Sequence, residues 1–76
     1  MENLIVHSFK KKETEEVSLA LREFKGKAYV DLRIYFKPRG SEEFKPSKKG
    51  IMLSTEFLPQ LKVAFEKAEE ALAARV

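Results

Sequence analysis

Between Val17 and Lys37 apolar and polar residues take turns along the chain. Val17, Leu19 and Leu21 fall on one side of an extended backbone, and Ser18, Ala20, Arg22 and Phe24 fall on the other. A period of two is the signature of a strand with one buried face. Gly26 then suits a turn position with positive φ. Alternation resumes over residues 27–37, with Ala28, Val30, Leu32 and Ile34 against Lys27, Tyr29, Asp31, Arg33 and Tyr35. The stretch is dense in the β-branched and aromatic residues that strands favour. Phe36 shares the parity of the apolar set, so on pattern alone it is a core aromatic. It reaches the opposite face only if the strand twists or bulges near its end.

Beyond this pair, P-R-G-S at Pro38 to Ser41 predicts a hairpin turn. Glu42 to Lys45 reads as a short third strand, Pro46 and Ser47 as a second turn, and Lys48 to Leu53 as a fourth strand with Ile51 and Leu53 inward. The period then changes. Ser54 is a candidate N-cap, and Phe57, Leu61, Ala64, Phe65, Ala68 and Leu72 form one apolar stripe on a helix over residues 55–74, with Pro59 early enough to be tolerated. Leu58 and Val63 lie off the stripe and predict a second buried surface, a subunit contact. Ahead of the alternation, L-I-V-H-S-F within Met1 to Lys12 is a short strand or an arm, and Lys10 to Glu16 is a charged connector. The expected fold class is α+β: a four-stranded antiparallel curved sheet followed by one C-terminal helix that covers one face (β-β-β-β-α), with room for an extra N-terminal strand. Residues 1–16 form the arm or short strand, and residues 17–76 the domain.

Charge sharpens this picture. The net charge of +3 says little by itself. Arg22 to Lys49, however, holds nine bases against four acids, while Ile51 onward holds three bases against four acids. A cationic sheet region beside a near-neutral helix is the footprint of a nucleic-acid binder, and equally of a solvated lysine-rich surface. Two basic islands stand out, F-K-G-K (Phe24, Lys25, Gly26, Lys27) and K-P-S-K-K-G (Lys45 to Gly50). Both lie at turns, beside outward-facing Arg22 and Arg33.

Other features narrow the function by what they fail to supply. With 76 residues and no cysteine, the chain is one small domain without disulfides, and its core is marginal unless a partner chain completes it. His7 has no nearby acid or nucleophile in a catalytic arrangement, and there is no phosphate loop and no recognisable pair of catalytic carboxylates. The sequence therefore reads as a non-enzyme with no cofactor and no metal. No apolar run approaches the roughly 20 residues of a membrane span, and Glu2 with a short L-I-V run does not make a signal peptide. An intracellular protein is the expectation, in the cytoplasm or nucleoid if prokaryotic and the nucleus if eukaryotic.

F-K-G-K, then V-D-L-R-I-Y-F, K-P-S-K-K-G-I and L-S-T-E-F-L-P-Q-L-K together resemble the C-terminal domain of the transcriptional coactivator family known as positive cofactor four. The resemblance spans roughly Val17 to Leu72. It implies a β-β-β-β-α domain that forms a homodimer and binds single-stranded DNA in channels on its cationic sheets. Carried over residue by residue, it implies that Phe24 stacks on bases and that Lys25 and Lys27 hold phosphates. Arg33 matches an arginine on the exposed strand face. Phe36 stands where eukaryotic members have a stacking tryptophan, and Lys45, Lys48 and Lys49 form the second basic turn. Ser47 replaces the usual glycine, the P-R-G-S loop is one residue longer, and the acidic regulatory arm of the eukaryotic protein has no counterpart. These departures point to a compact prokaryotic-type or viral member.

The residues and the resemblance together predict a single-stranded-DNA-binding homodimer without sequence specificity, serving transcription or DNA maintenance alongside transcription or replication proteins. RNA stays open as the ligand. A different class of function, a protein-interaction coactivator module whose patch binds an acidic partner, would account for the same charges.

Overall fold

The computed structural model describes residues 3–75. Met1 and Glu2, where the N-terminal arm begins in the sequence reading, and Val76, its domain end, lie outside the described residues. Four strands, β1 (Leu4–Lys12), β2 (Glu15–Phe24), β3 (Lys27–Phe36) and β4 (Lys45–Ser54), form one antiparallel sheet in the order β1-β2-β3-β4. A 3-10 turn (Thr55–Phe57) leads into a single helix, α1 (Leu58–Ala74). This is the β-β-β-β-α architecture that the alternation predicts, but not with the same four strands. Residues 4–12 supply the first, and residues 42–44 lie outside any strand. Pro46 and Ser47 belong to β4 instead of a turn. Because β4 is an edge strand, it tolerates a proline.

Local chemistry explains the connections. At the β2–β3 hairpin, Lys25 has φ 53° and Gly26 φ 78°, and Phe24 pairs with Lys27. Positive φ at both central residues is the type I′ geometry that matches the twist of a two-residue hairpin. Gly26 takes it freely, and Lys25 takes it at a steric cost. In the β3–β4 loop, Ser41 N–H donates to the Pro38 carbonyl at 3.0 Å, and Gly40 has φ 80°. That is the turn expected of P-R-G-S. The Pro59 ring falls in the first turn of α1, where no amide hydrogen bond is lost. Ser54 precedes the 3-10 turn, not the α-helix, and its side chain makes no capping bond.

The two faces of the sheet differ sharply. Val17, Leu19, Leu21, Val30, Leu32, Ile51 and Leu53 share one side through the register Leu19↔Leu32↔Ile51 and Leu21↔Val30↔Leu53. The helix does not cover it. Only the first turns of α1 approach, so that Leu58, Leu61 and Phe65 close an apolar cleft of about 270 Å³ with Leu19, Val30, Leu32, Ile51 and Leu53. Phe65 remains 59% exposed and Leu72 66%. The expectation that the helix lies along one face is corrected here: the stripe is present, but most of it meets nothing in the same chain. Ala20 and Val30 are the only buried apolar residues among those described. The radius of gyration, 14.7 Å, exceeds the ~11 Å expected of a compact chain of this length.

The opposite face is concave. Arg22 and Tyr35 lie on it six residues out of register, since Arg22 pairs with Tyr29, a separation of about 20 Å along a strand. Nevertheless Arg22 Nη2 donates to the Tyr35 hydroxyl at 3.1 Å. Only a strongly curved sheet brings these side chains together.

Gly50 sets how closely β4 lies against β3. A Cβ at this position would fall 2.8 Å from the Leu32 carbonyl oxygen and 3.0 Å from Arg33 Cα, both backbone atoms that cannot step aside. Gly50→Val should therefore lower stability by about 1–3 kcal/mol, as overpacking does, in urea unfolding of the purified protein.

Candidate nucleic-acid interface

The concave face is organised by a carboxylate. Asp31, in the middle of β3, is only 3% exposed. Arg22 Nε donates to its Oδ2 at 2.6 Å, and Arg33 Nε donates to Oδ1 at 3.1 Å and Oδ2 at 3.3 Å. Arg33 Nη2 stands 3.1 Å from Oδ1. Burial pushes the Asp31 carboxyl up, but the hydrogen bonds and charges of Arg33 and Arg22 outweigh it and hold it below the usual carboxylate value. The hydrogen bond to Asp31 likewise holds the Arg22 guanidinium above its ordinary value, against the opposing effect of burial.

At one end of this face β4 departs from regular pairing. Arg33 faces Gly50 but Tyr35 faces Pro46, so residues 47–49 oppose Ile34 alone. Ser47 holds this bulge. Its hydroxyl donates to the Ile34 carbonyl at 2.7 Å and accepts from Lys49 N–H at 3.1 Å, while its carbonyl accepts from Arg33 Nη1 at 2.9 Å. The result is an open groove of about 620 Å³ lined by Arg22, Asp31, Arg33, Phe36, Pro46, Ser47, Lys48 and Met52. Phe36 is 38% exposed and lines this groove. The parity reading that made it a core aromatic is corrected, because the bulge and twist at the strand end turn it toward the polar side.

The groove thus brings together Arg22, Arg33, Phe36 and Lys48. Lys45 and Lys49 are exposed on the same strand but do not line it. Phe24, Lys25 and Lys27 form a separate group at the other end of β3, about 30 Å away along the strand. There Phe24 is 60% exposed, and the Lys25 ammonium sits 5.3 Å from its ring centroid, within cation–π range. The two islands therefore flank the concave face from opposite ends. Sequence reasoning missed the ties that order the groove: Asp31, Tyr35 and Ser47. The D-x-R spacing at Asp31 and Arg33 carried a signal, since same-parity neighbours on a strand share a face.

The protein-family model described as Transcriptional Coactivator p15 (PC4) matches residues 6–64, most of the chain. The chain belongs to the PC4 family. Among solved structures, it is similar to a PC4 homolog from Burkholderia pseudomallei. In the orthorhombic crystal form of that protein the TM-score is 0.81 at 25% identity, over 90% of each chain. In its tetragonal form the values are the same over 90% of this chain and 98% of the other. A bacteriophage T5 homolog of the eukaryotic coactivator PC4, implicated in recombination-dependent DNA replication, matches with a TM-score of 0.62 at 25% identity, over 99% of this chain and 96% of the phage protein. No curated protein matches the chain. Bacterial and phage PC4 homologs as neighbours agree with a compact prokaryotic-type member. Among the described residues no helix of this PC4 member is long and apolar enough to cross a membrane.

The Asp31 cluster makes a pH-dependent prediction. A carboxyl whose folded value is depressed contributes stability that is present above its unfolded value, about pH 4, and is lost as pH falls through the folded value. Asp31→Asn should cost about 3 kcal/mol at pH 7, the low end for breaking a buried pair because both arginines keep some contact with water. The gap between parent and variant should narrow as the pH is lowered below about 4, as the unfolded chain's Asp31 takes up a proton and then the folded carboxyl does so at its depressed value. Urea midpoints measured at pH 7 and pH 3 provide the check.

Proposed function

We propose that this PC4-family chain binds single-stranded DNA without sequence specificity, as a homodimer, in the service of transcription or DNA maintenance. The observation that carries the reading is Phe24: a phenylalanine more than half exposed, at a hairpin tip among lysines, with a cation over its ring. An exposed aromatic in a cationic setting is a stacking platform for a base, and duplex DNA keeps its bases stacked on one another. Lys25 and Lys27 at one end, and Lys45, Lys48 and Lys49 at the other, supply the sequence-independent attraction to phosphate. Phe36, with Arg22 and Arg33, offers a second platform. Family membership and the replication role of the phage relative support a DNA ligand, which would place the protein inside the cell.

The test is fluorescence anisotropy with single-stranded DNA, duplex DNA and RNA oligomers of equal length and charge. Single-stranded DNA should bind tightest. Phe24→Ala should lower that affinity by about 1–3 kcal/mol while leaving the melting temperature of the free protein nearly unchanged. Equal binding of duplex and single strands would reject the reading, and preference for the RNA oligomer would reassign the ligand.

Dimerisation is supported by what the chain leaves exposed. It presents 6339 Å² of surface, against about 4800 Å² for a compact monomer of its mass. The excess is larger than the ~800 Å² that one partner commonly buries in a stable interface, and Phe65 and Leu72 lie within the exposed helix stripe. Sedimentation equilibrium at micromolar concentration should give twice the 8.8 kDa chain mass. Leu72→Glu should shift the protein toward the monomer and lower its melting temperature together.

A further inference from the structure

We propose that Arg33 meets the ligand with the flat face of its guanidinium, stacking on an unpaired base, and is not a phosphate ligand. The proposal rests on the single-strand reading above and assigns a role within that site. A guanidinium binds phosphate through its N–H edges, two of them at a time in the fork that makes arginine selective for such anions. In Arg33 every nitrogen already has a protein partner. Nε donates to both oxygens of Asp31 at 3.1 and 3.3 Å, Nη2 lies 3.1 Å from Oδ1, and Nη1 donates to the Ser47 carbonyl at 2.9 Å. Three of its five N–H groups are thus committed, and turning the Nε–Nη2 fork toward a phosphate would strip its bonds from a carboxylate that is only 3% exposed. A buried charge left short of partners is costly.

The surroundings point the same way. Arg33 lines the groove beside Phe36, Pro46 and Met52, whose flat or apolar surfaces suit a base and not a phosphate. Asp31 also offsets part of the charge that a phosphate would seek. Lys48 and Lys49 are exposed, with no ion pair among the described residues. The phosphates therefore run past the lysines, and the arginine plane is left for the base. Asp31 is a positioning residue in this scheme: it holds the guanidinium by its Nε–Nη2 edge and leaves the face to the base.

Arg33→Lys separates the two roles, because it keeps the charge and removes the plane. With a thymine oligomer read by anisotropy over a range of salt, Arg33→Lys should bind about tenfold more weakly, with the slope of log affinity against log salt unchanged. Lys48→Ala should flatten that slope by about 0.7, the loss of one single-strand phosphate contact. Affinity of Arg33→Lys within twofold of the parent, or a flattened slope, overturns the proposal. Should Arg33→Lys fail to fold, NMR of the parent decides. Stacking predicts upfield shifts of the Arg33 side-chain protons and cross-peaks to base protons on binding. Phosphorus shifts without any base contact at Arg33 overturn the proposal. A parent that binds no oligomer removes the single-strand reading itself, whereas a parent that binds while Arg33 shows neither signature removes only this inference.

Discussion

A four-stranded sheet has two faces, and this chain has one helix with which to cover them. The helix leaves the sheet after its first turns, so neither face is sealed by the rest of the molecule. Most structural features follow from how each face meets that constraint. On the apolar side Leu19, Leu32 and Ile51 stand in a row across three strands, with an open cleft above them. Hydrophobic surface of that extent is costly to leave in water. On the polar side the solution is internal: one carboxylate is buried, and two guanidiniums close over it.

The internal solution constrains what the polar face offers a ligand. Asp31, Arg22 and Arg33 together carry a formal charge of only +1, and their hydrogen-bonding edges point mostly at one another and at Tyr35 and Ser47. The centre of the concave face is therefore weakly charged for so basic a chain. The freely placed cations stand at its ends. Arg22, Arg33 and Phe36 thus lie between lysines at the two ends of the face, while Phe24 stands among its own lysines at the hairpin tip.

How much of this was legible depended on whether a residue's neighbours kept the simple period. β2 and β3 pair without a break from Glu15↔Phe36 to Phe24↔Lys27, and their alternation predicted both strands and both faces. The helix stripe was equally plain. β1 was obscured because its pairing with β2 shifts twice, between Ile5 and His7 and between Lys10 and Lys12, so its apolar residues fall out of strict alternation. Glu42 to Lys45 imitated a strand over too few residues to distinguish it from a loop. Pro46 and Ser47 carried turn chemistry into an edge strand, where a bulge uses it. The exposed aromatics and lysines were legible as types, but Asp31 looked like one more polar residue. That Arg22 reaches it, and Tyr35 as well, depends on curvature that no local pattern encodes.

The two islands resemble each other in sequence and are built by opposite means. At the first, backbone strain does the work: a type I′ turn holds Lys25 at φ 53°, and the lysine lies over Phe24 at a hairpin tip. A tip of that kind owes little to the packing behind it. At the second, the shape comes from contacts with β3. Gly50 lets the two backbones close up, Ser47 bonds to the Ile34 carbonyl, and Arg33 ties the Ser47 carbonyl to Asp31. The position of Lys48 and the pose of Arg33 thus depend on the same few bonds, and those bonds end on a buried carboxylate. Disturbing Asp31 therefore reaches the second island through Ser47, whereas the first, at the far end of β3, is held by its own turn.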